Sequence, residues 1–398
     1  MNLKELKSKR TKIIEYSALG ELLGVTAKHP EIISLAGGFP ASESFPIKIV
    51  RKLNNIILNK YRGAPFQYGP TCGVKILREE IVIWLKKRNI EATIENIGVT
   101  SGSQGALDTI GRIFVDVGDM IAVESPTYIG AIDAFAPYYP TYAQIETDND
   151  GVIPESLEKI LKTNKIKFVY LIPTFQNPTG RTIPWKRRKQ IAKIIIKYNA
   201  LLIEDDPYNS LRYSGKAVDP IQTLIPENTV YLCTFSKVLA PGFRIGFYSA
   251  PTDISKLMAS AKQSVDLHTN SYGQYLAAEY LKTGDLKKHL PKILNIYKSR
   301  LETMIRALKK YFPTTFSWTY PEGGMFIWVT GPKDFDAVKL YLKAVDNNVA
   351  YVPGTYFFTK IGVNKNTMRL NFTSVSEKQI DIAIKKLSEV IKMEKLLI

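Results

Sequence analysis

Lys237 stands in the run Thr234-Phe235-Ser236-Lys237, directly after the β-prone stretch Val230-Tyr231-Leu232-Cys233, and Arg244 follows seven residues later in Pro241-Gly242-Phe243-Arg244. A lysine amine forms a Schiff base with a carbonyl compound once burial or nearby positive charge depresses its pKa. The hydroxyls of Thr234 and Ser236 and the guanidinium of Arg244 are groups that hold a phosphate dianion by charge-assisted hydrogen bonds. Together they point to capture of an aldehyde that carries a phosphate. An isolated Ser-Lys pair after a core strand is more often a solvated lysine, so the rest of the chain has to decide.

Other polar motifs follow β-like runs in the same way. Ser101-Gly102-Ser103-Gln104-Gly105-Ala106 opens a helical pattern after Ile97-Gly98-Val99-Thr100, which aims free backbone N–H groups at an anion. The same residues also suit a plain helix cap at Ser101 or Ser103. Glu204-Asp205-Asp206-Pro207-Tyr208 supplies an acid that can face a site, with Asp206 read as the exposed member of the turn. Phe175-Gln176-Asn177-Pro178-Thr179-Gly180 is a turn by composition, and Ser125-Pro126-Thr127-Tyr128 ends on an aromatic ring. Arg369, in Met368-Arg369-Leu370-Asn371-Phe372, either grips a carboxylate as a bidentate pair or faces solvent from an edge strand.

These motifs need elements to position them. From about Asn96 to Ser249 short β-like runs alternate with helical patterns, which predicts an α/β fold with a mostly parallel sheet sandwiched by helices. Ligands of such sheets gather beyond the carboxyl ends of the strands. After about Asp285, apolar residues at Leu290, Leu294, Tyr297, Leu301, Ile305 and Leu308 predict a long helix, followed by four short β-like pieces. The expected organisation is an N-terminal segment over 1–44, a large domain over 45–284 and a smaller α+β domain over 285–398. The first segment is expected to pack on the small domain or on a partner subunit.

The Lys237 segment resembles the Schiff-base signature of pyridoxal-phosphate aminotransferases of fold type I, class I/II, and the matches run in the family's order from about Ile33 to Phe372. The resemblance implies pyridoxal 5'-phosphate as cofactor, with Lys237 as the catalytic residue that carries it and moves the substrate's α-proton. It implies that Ser103, Gln104, Thr234, Ser236 and Arg244 bind the phosphate, with Tyr68 of Gln67-Tyr68-Gly69-Pro70 reaching it from the neighbouring subunit of a homodimer. Asp205 faces the pyridine nitrogen and stands three residues before Tyr208, which bonds the ring hydroxyl. Tyr128 stacks on the ring, and Asn177 reaches both the ring oxygen and the substrate carboxylate. Gly38, in Ser34-Leu35-Ala36-Gly37-Gly38-Phe39-Pro40, approaches the substrate, and Arg369 grips its α-carboxylate.

The implied reaction moves an amino group from an L-amino acid to a 2-oxo acid, 2-oxoglutarate in most of the family. Within the family the chain resembles the subgroup of 2-aminoadipate, kynurenine and aromatic amino acid aminotransferases. Members of that subgroup often carry an arginine that pairs with an acidic substrate side chain, and Gly20 stands in its place here. Aromatic or mixed substrates are therefore expected beside 2-aminoadipate. The same fold and lysine also serve β-elimination, as in a carbon–sulfur lyase. A pyridoxal-phosphate-sensing regulator is the third reading, ranked last because some thirty residues before Gly37 are too few for a winged helix.

Composition narrows the remaining classes. The 398 residues carry 54 Lys and Arg against 37 Asp and Glu, a formal charge of +17. The basic residues are scattered along helical patterns rather than interleaved with aromatics, which reads as a solvated surface rather than a nucleic-acid face. That charge also favours dicarboxylate substrates. Two cysteines, Cys72 and Cys233, and three histidines have no metal-ligand spacing, so neither a metal site nor a disulfide framework is expected. No apolar run reaches membrane-spanning length and no secretory signal opens the chain, so no membrane partner and a cytoplasmic location are expected.

Overall fold

Strands that read as unbroken apolar runs are those covered on both faces, and here they assemble into one large sheet. A computed structural model describes residues 3–11, 29–360 and 362–395. The sheet strands are β1 (Ile97–Thr100), β2 (Met120–Glu124), β3 (Thr141–Ile145), β4 (Ile166–Leu171), β5 (Leu202–Asp205), β6 (Thr229–Thr234) and β7 (Gly246–Ser249). Their spatial order is β1-β7-β6-β5-β4-β2-β3. Every neighbouring pair is parallel except those made by β7, which runs antiparallel to both β1 and β6. The α/β sandwich expected from the sequence is the one observed.

Side chains alternate between two apolar layers, as the strand period requires. Phe168, Tyr170 and Ile172 share one layer with Val230, Leu232 and the helix Gly102–Phe114. Val169, Leu171 and Leu202 face the other, against Ile191 and Ile195 of the helix Trp185–Lys197. β5 runs from Leu202 and includes Glu204 and Asp205. β3 was not anticipated, because only Ile145 of its five residues is fully buried.

The helix Asp285–Tyr311 leads into a second, four-stranded sheet of β8 (Ser317–Trp318), β9 (Phe326–Thr330), β10 (Val352–Pro353) and β11 (Thr367–Asn371). Its order is β8-β9-β11-β10 and all its pairs are antiparallel, so β11 is an interior strand. Near the amino end, Ile33–Ser34 pairs in parallel with Val349–Ala350, and Leu35 O accepts from Asn371 N at 2.8 Å. Tyr297 of the long helix receives Ala41 N at 3.0 Å. The stretch Ile33–Ala41 is thereby laid along the second sheet, while Gly20 lies outside the described residues. Among the described residues no helix is long and apolar enough to cross a membrane.

Candidate active site

The carboxyl ends of β1, β2, β4, β5 and β6 open on one edge of the large sheet, and the amino end of β7 joins them there. Gly246 stands opposite both Thr100 and Thr234. A cleft of about 230 Å³ lies over this edge. Its lining includes Gly38, Ser103, Gln104, Tyr128, Asp205, Tyr208, Thr234, Ser236, Lys237 and Arg244, all singled out from the sequence. Asn177 and Arg369 join through a short relay. Arg369 Nη1 donates to Asn177 Oδ1 at 2.9 Å, and Asn177 Nδ2 donates to the Tyr208 hydroxyl at 3.4 Å. Tyr68 is not brought to this cleft: it is 79% exposed and sits edge-on to His268 with ring centroids 5.8 Å apart.

Lys237 closes the one-turn 3₁₀ segment Phe235–Lys237 that follows β6. Thr234 caps that turn by accepting Ser236 N at 3.2 Å, and its Oγ1 lies 3.0 Å from Ser236 Oγ. The Lys237 amine donates to Gly38 O at 3.0 Å. Burial, with Arg244 and Arg369 adding like charge, lowers its pKa to about 8. Near neutral pH a useful fraction of the amine is therefore neutral, the form that attacks a carbonyl.

Groups that could hold an anion line the same cleft as the lysine. Ser101 does not cap the helix Gly102–Phe114 and instead donates to Asp266 Oδ2 at 3.2 Å, so no capping side chain stands among them. Arg244 adopts a left-handed backbone, and its Nη1 and Nη2 are fixed on Pro241 O and Ser101 O at 3.3 and 3.2 Å. This approach requires glycine at position 102, where φ is +73° and a Cβ would stand 2.4 Å from Arg244 Nη2. Gln104 Nε2 donates to Gly130 O at 2.6 Å.

Two buried acids end β5, against the expectation that Asp206 would be solvent-exposed: each is 1% exposed. Asp206 is paired with Arg88 at 2.8 Å, a partner too distant in sequence to be foreseen. Among the described residues Asp205 receives only the Tyr170 hydroxyl, at 2.8 Å on Oδ2, and its Oδ1 has no partner. Burial, with Asp206 adding to it, raises its pKa to about 7 although the Tyr170 bond opposes the rise. A buried carboxylate with an open oxygen suits a ligand that brings a protonated nitrogen. Tyr170 is a participant that sequence reasoning missed. Its one visible signal is a hydroxyl on the same strand face as Phe168 and Ile172 in an otherwise apolar run.

Arg369 is 3% exposed on interior strand β11, which excludes the solvent-facing edge arginine. Its guanidinium lies over Phe326 and Phe357 at 4.3 and 4.9 Å from the ring centroids. Nη2 donates to Ala36 O at 2.5 Å, and Nε has no partner. Of the five N–H donors of a guanidinium these contacts use two, leaving enough for a carboxylate fork. Burial lowers its pKa to about 10, so it stays cationic at neutral pH. The residues present therefore fit a phosphorylated pyridine aldehyde: an anion cup, a depressed amine, an open carboxylate oxygen and a cation for a substrate carboxylate.

The model of the family described as aminotransferase class I and II matches residues 30–387. Aromatic-amino-acid aminotransferase 1 of Thermococcus litoralis is 46% identical over 385 residues, covering 95% of this chain and 92% of the relative. The crystal structure of kynurenine aminotransferase from Pyrococcus horikoshii, in complex with PMP, superposes with a TM-score of 0.95 at 45% identity, covering 99% of this chain and 98% of that one. LysN, the alpha-aminoadipate aminotransferase of Thermus thermophilus complexed with N-(5'-phosphopyridoxyl)-L-leucine, superposes with a TM-score of 0.93 at 33% identity, with full coverage of both chains. The chain thus belongs to the class I and II aminotransferases, and it is a transaminase that works with pyridoxal phosphate.

Proposed function

We propose that this transaminase takes the amino group of an aromatic, kynurenine-like or 2-aminoadipate-like L-amino acid and passes it to a 2-oxo acid, 2-oxoglutarate in the first instance. The observation that carries the reading is that a lysine of depressed pKa, a buried carboxylate with an open oxygen and a buried arginine are connected to one cleft. The substrate classes come from the relatives, whose own substrates span aromatic amino acids, kynurenine and 2-aminoadipate. No observation favours β-elimination.

Bound pyridoxal phosphate supplies an aldehyde for the amine and an electron sink for the substrate's α-carbon. The neutral Lys237 amine would hold the cofactor and would move the substrate's α-proton as general acid and base. Thr234, Ser236, Ser103, Gln104 and Arg244 would bind the cofactor's phosphate, and Asp205 would hold its ring nitrogen. Tyr128 would pack on its ring, while Tyr208 and Asn177 would bond its ring oxygen. Arg369 would fix the substrate's α-carboxylate and so orient the Cα–H bond, with Gly38 lining the substrate side.

The exposed Tyr68 fits a residue that completes the phosphate cup of a second copy, which makes the working unit a homodimer. The division into 1–44, 45–284 and 285–398 fits the two sheets and the segment laid on the smaller one. The same reading takes the enzyme as cytoplasmic and acting on small acids, with no nucleic acid among its partners. The test is the visible spectrum of the protein with pyridoxal phosphate, before and after phenylalanine, kynurenine, 2-aminoadipate or glutamate. A band that bleaches with a donor and returns with 2-oxoglutarate is expected. Release of pyruvate and ammonia from a cysteine conjugate without any oxo acid would replace this reading with elimination.

A further inference from the structure

The two carboxylates at the end of β5 are held by different kinds of partner. Asp206 Oδ2 accepts from Arg88 Nη2 and from the Tyr231 hydroxyl, each at 2.8 Å, so a cation balances it. Asp205 has a neutral phenol, Tyr170, on Oδ2, and the Oδ1 of each carboxylate has no hydrogen-bond partner among the described residues. The phenol is itself fixed. Tyr170 is fully buried on β4, the strand beside β5, and its ring packs edge-on against Phe135 at 6.0 Å. Among the described residues its hydroxyl makes no other hydrogen bond, so the contact with Asp205 is what its polarity serves.

We infer that Tyr170 is a positioning residue of the transaminase: its hydroxyl turns Asp205 so that Oδ1 faces the cleft and keeps that carboxyl ionised opposite the cofactor's ring nitrogen. The inference rests on the assignment of Asp205 to that nitrogen. A donor to a carboxylate stabilises its charged form, whereas burial and a neighbouring carboxylate favour the neutral form. The groups that face Asp205 are Tyr170 from β4, Asp206 beside it, Tyr128 from the loop after β2 and Tyr208 from the loop after β5. Among the described residues no cation bonds Asp205, and the Tyr170 bond is the hydrogen bond that favours its charged form. The opposing influences leave the carboxyl at about 7, where losing one donor changes its charge at working pH.

Tyr170→Phe removes the hydroxyl and keeps the ring in its packing. With Asp205 protonated, the ring nitrogen loses its proton and withdraws fewer electrons, so the Lys237 nitrogen joined to the cofactor keeps its own proton to higher pH. The expected result is a rise of about one unit in the pH midpoint of the holoenzyme's visible band, with about tenfold weaker affinity for pyridoxal phosphate. In an Asp205→Asn background the same substitution should move neither quantity further.

An unmoved midpoint in Tyr170→Phe, with Asp205→Asn clearly altered, overturns the inference and leaves the role of Asp205 standing. A shift of equal size in both backgrounds also overturns it, because the effect then bypasses Asp205. Asp205→Asn indistinguishable from wild type in spectrum and affinity instead removes the assignment on which the inference rests. Should Tyr170→Phe fail to retain cofactor, the infrared carboxylic-acid band of Asp205 in the cofactor-free proteins decides. It must titrate at higher pH in Tyr170→Phe than in wild type, and an equal midpoint overturns the inference.

Discussion

Replacing Arg369 by lysine keeps the charge and removes the fork, and the structure fixes how much that should cost. The guanidinium is held between Asn177 Oδ1 and Ala36 O and lies over Phe326 and Phe357, so its plane is set before any substrate arrives. A lysine ammonium gives a carboxylate one strong bond where the fork gives two, a loss of about 2 kcal/mol for a charged hydrogen bond. It also gives up part of the aromatic stacking, about 1 kcal/mol. At about 1.4 kcal/mol per factor of ten, kcat/KM should fall a little over a hundredfold. The assay is single-turnover bleaching of the cofactor band with phenylalanine, kynurenine and 2-aminoadipate, and its recovery with 2-oxoglutarate. Every one of these carries the same α-carboxylate, so the losses should agree to within about threefold. A loss confined to 2-aminoadipate would show that Arg369 reads the distal carboxylate. A loss below about tenfold would show that the fork does not form.

Two further perturbations probe the other end of the site. Gly102→Ala puts a Cβ where Arg244 Nη2 now stands, on a residue with φ of +73°. It should cost about 1–2 kcal/mol of stability and weaken pyridoxal phosphate binding at least tenfold, read by thermal melting and by fluorescence titration. Unchanged affinity would take Arg244 out of the anion cup. The Lys237 amine titrates at about 8 in the folded chain against an ordinary 10.5. Between those values the unfolded chain holds a proton that the folded chain has released. The stability of cofactor-free protein should therefore rise as pH climbs from about 8 to about 10.5, the penalty being complete below 8. Lys237→Met should lack that rise in melting temperature, and a wild-type curve no steeper than the variant's would contradict the depressed amine.

Much of this site was legible because its parts are local. Lys237 and Ser236, Asp205 and Tyr208, and Ser103 and Gln104 each lie within a few residues of a run apolar enough to be a buried strand, and the ends of such strands share an edge. What escaped depended on contacts between distant segments. The burial of Asp206 depends on Arg88, which lies 118 residues away. Tyr170 read as core because a buried tyrosine in an apolar run is core in most contexts, and only its neighbour strand reveals what its hydroxyl meets. Arg369 was ambiguous because a strand's place in its sheet is a matter of pairing, and β10 covers the side of β11 that would otherwise be an edge. Tyr68 was singled out from its motif, yet within one chain it is exposed and does not line the cleft.

The reversed strand β7 shows that one long-range feature was within reach of elementary geometry. Had β7 been parallel to β6, the chain would have had to return along the whole sheet between Thr234 and Gly246, and a parallel crossover takes about a dozen residues or more, usually with a helix. Only residues 235–245 are available, and they hold two 3₁₀ turns, Phe235–Lys237 and Pro241–Phe243. The chain can therefore only turn back on itself, and β7 must be antiparallel. The consequence is chemical. With β7 parallel, the residues just before it would emerge at the opposite edge of the sheet, roughly 13 Å away for a four-residue strand at about 3.3 Å per residue. Reversal instead sets Gly246 opposite Thr234, so Arg244 returns to the edge that Lys237 has just left. The turn that must reverse the chain therefore carries the Lys237 amine at its start and the Arg244 guanidinium at its end, and its shortness keeps the two together.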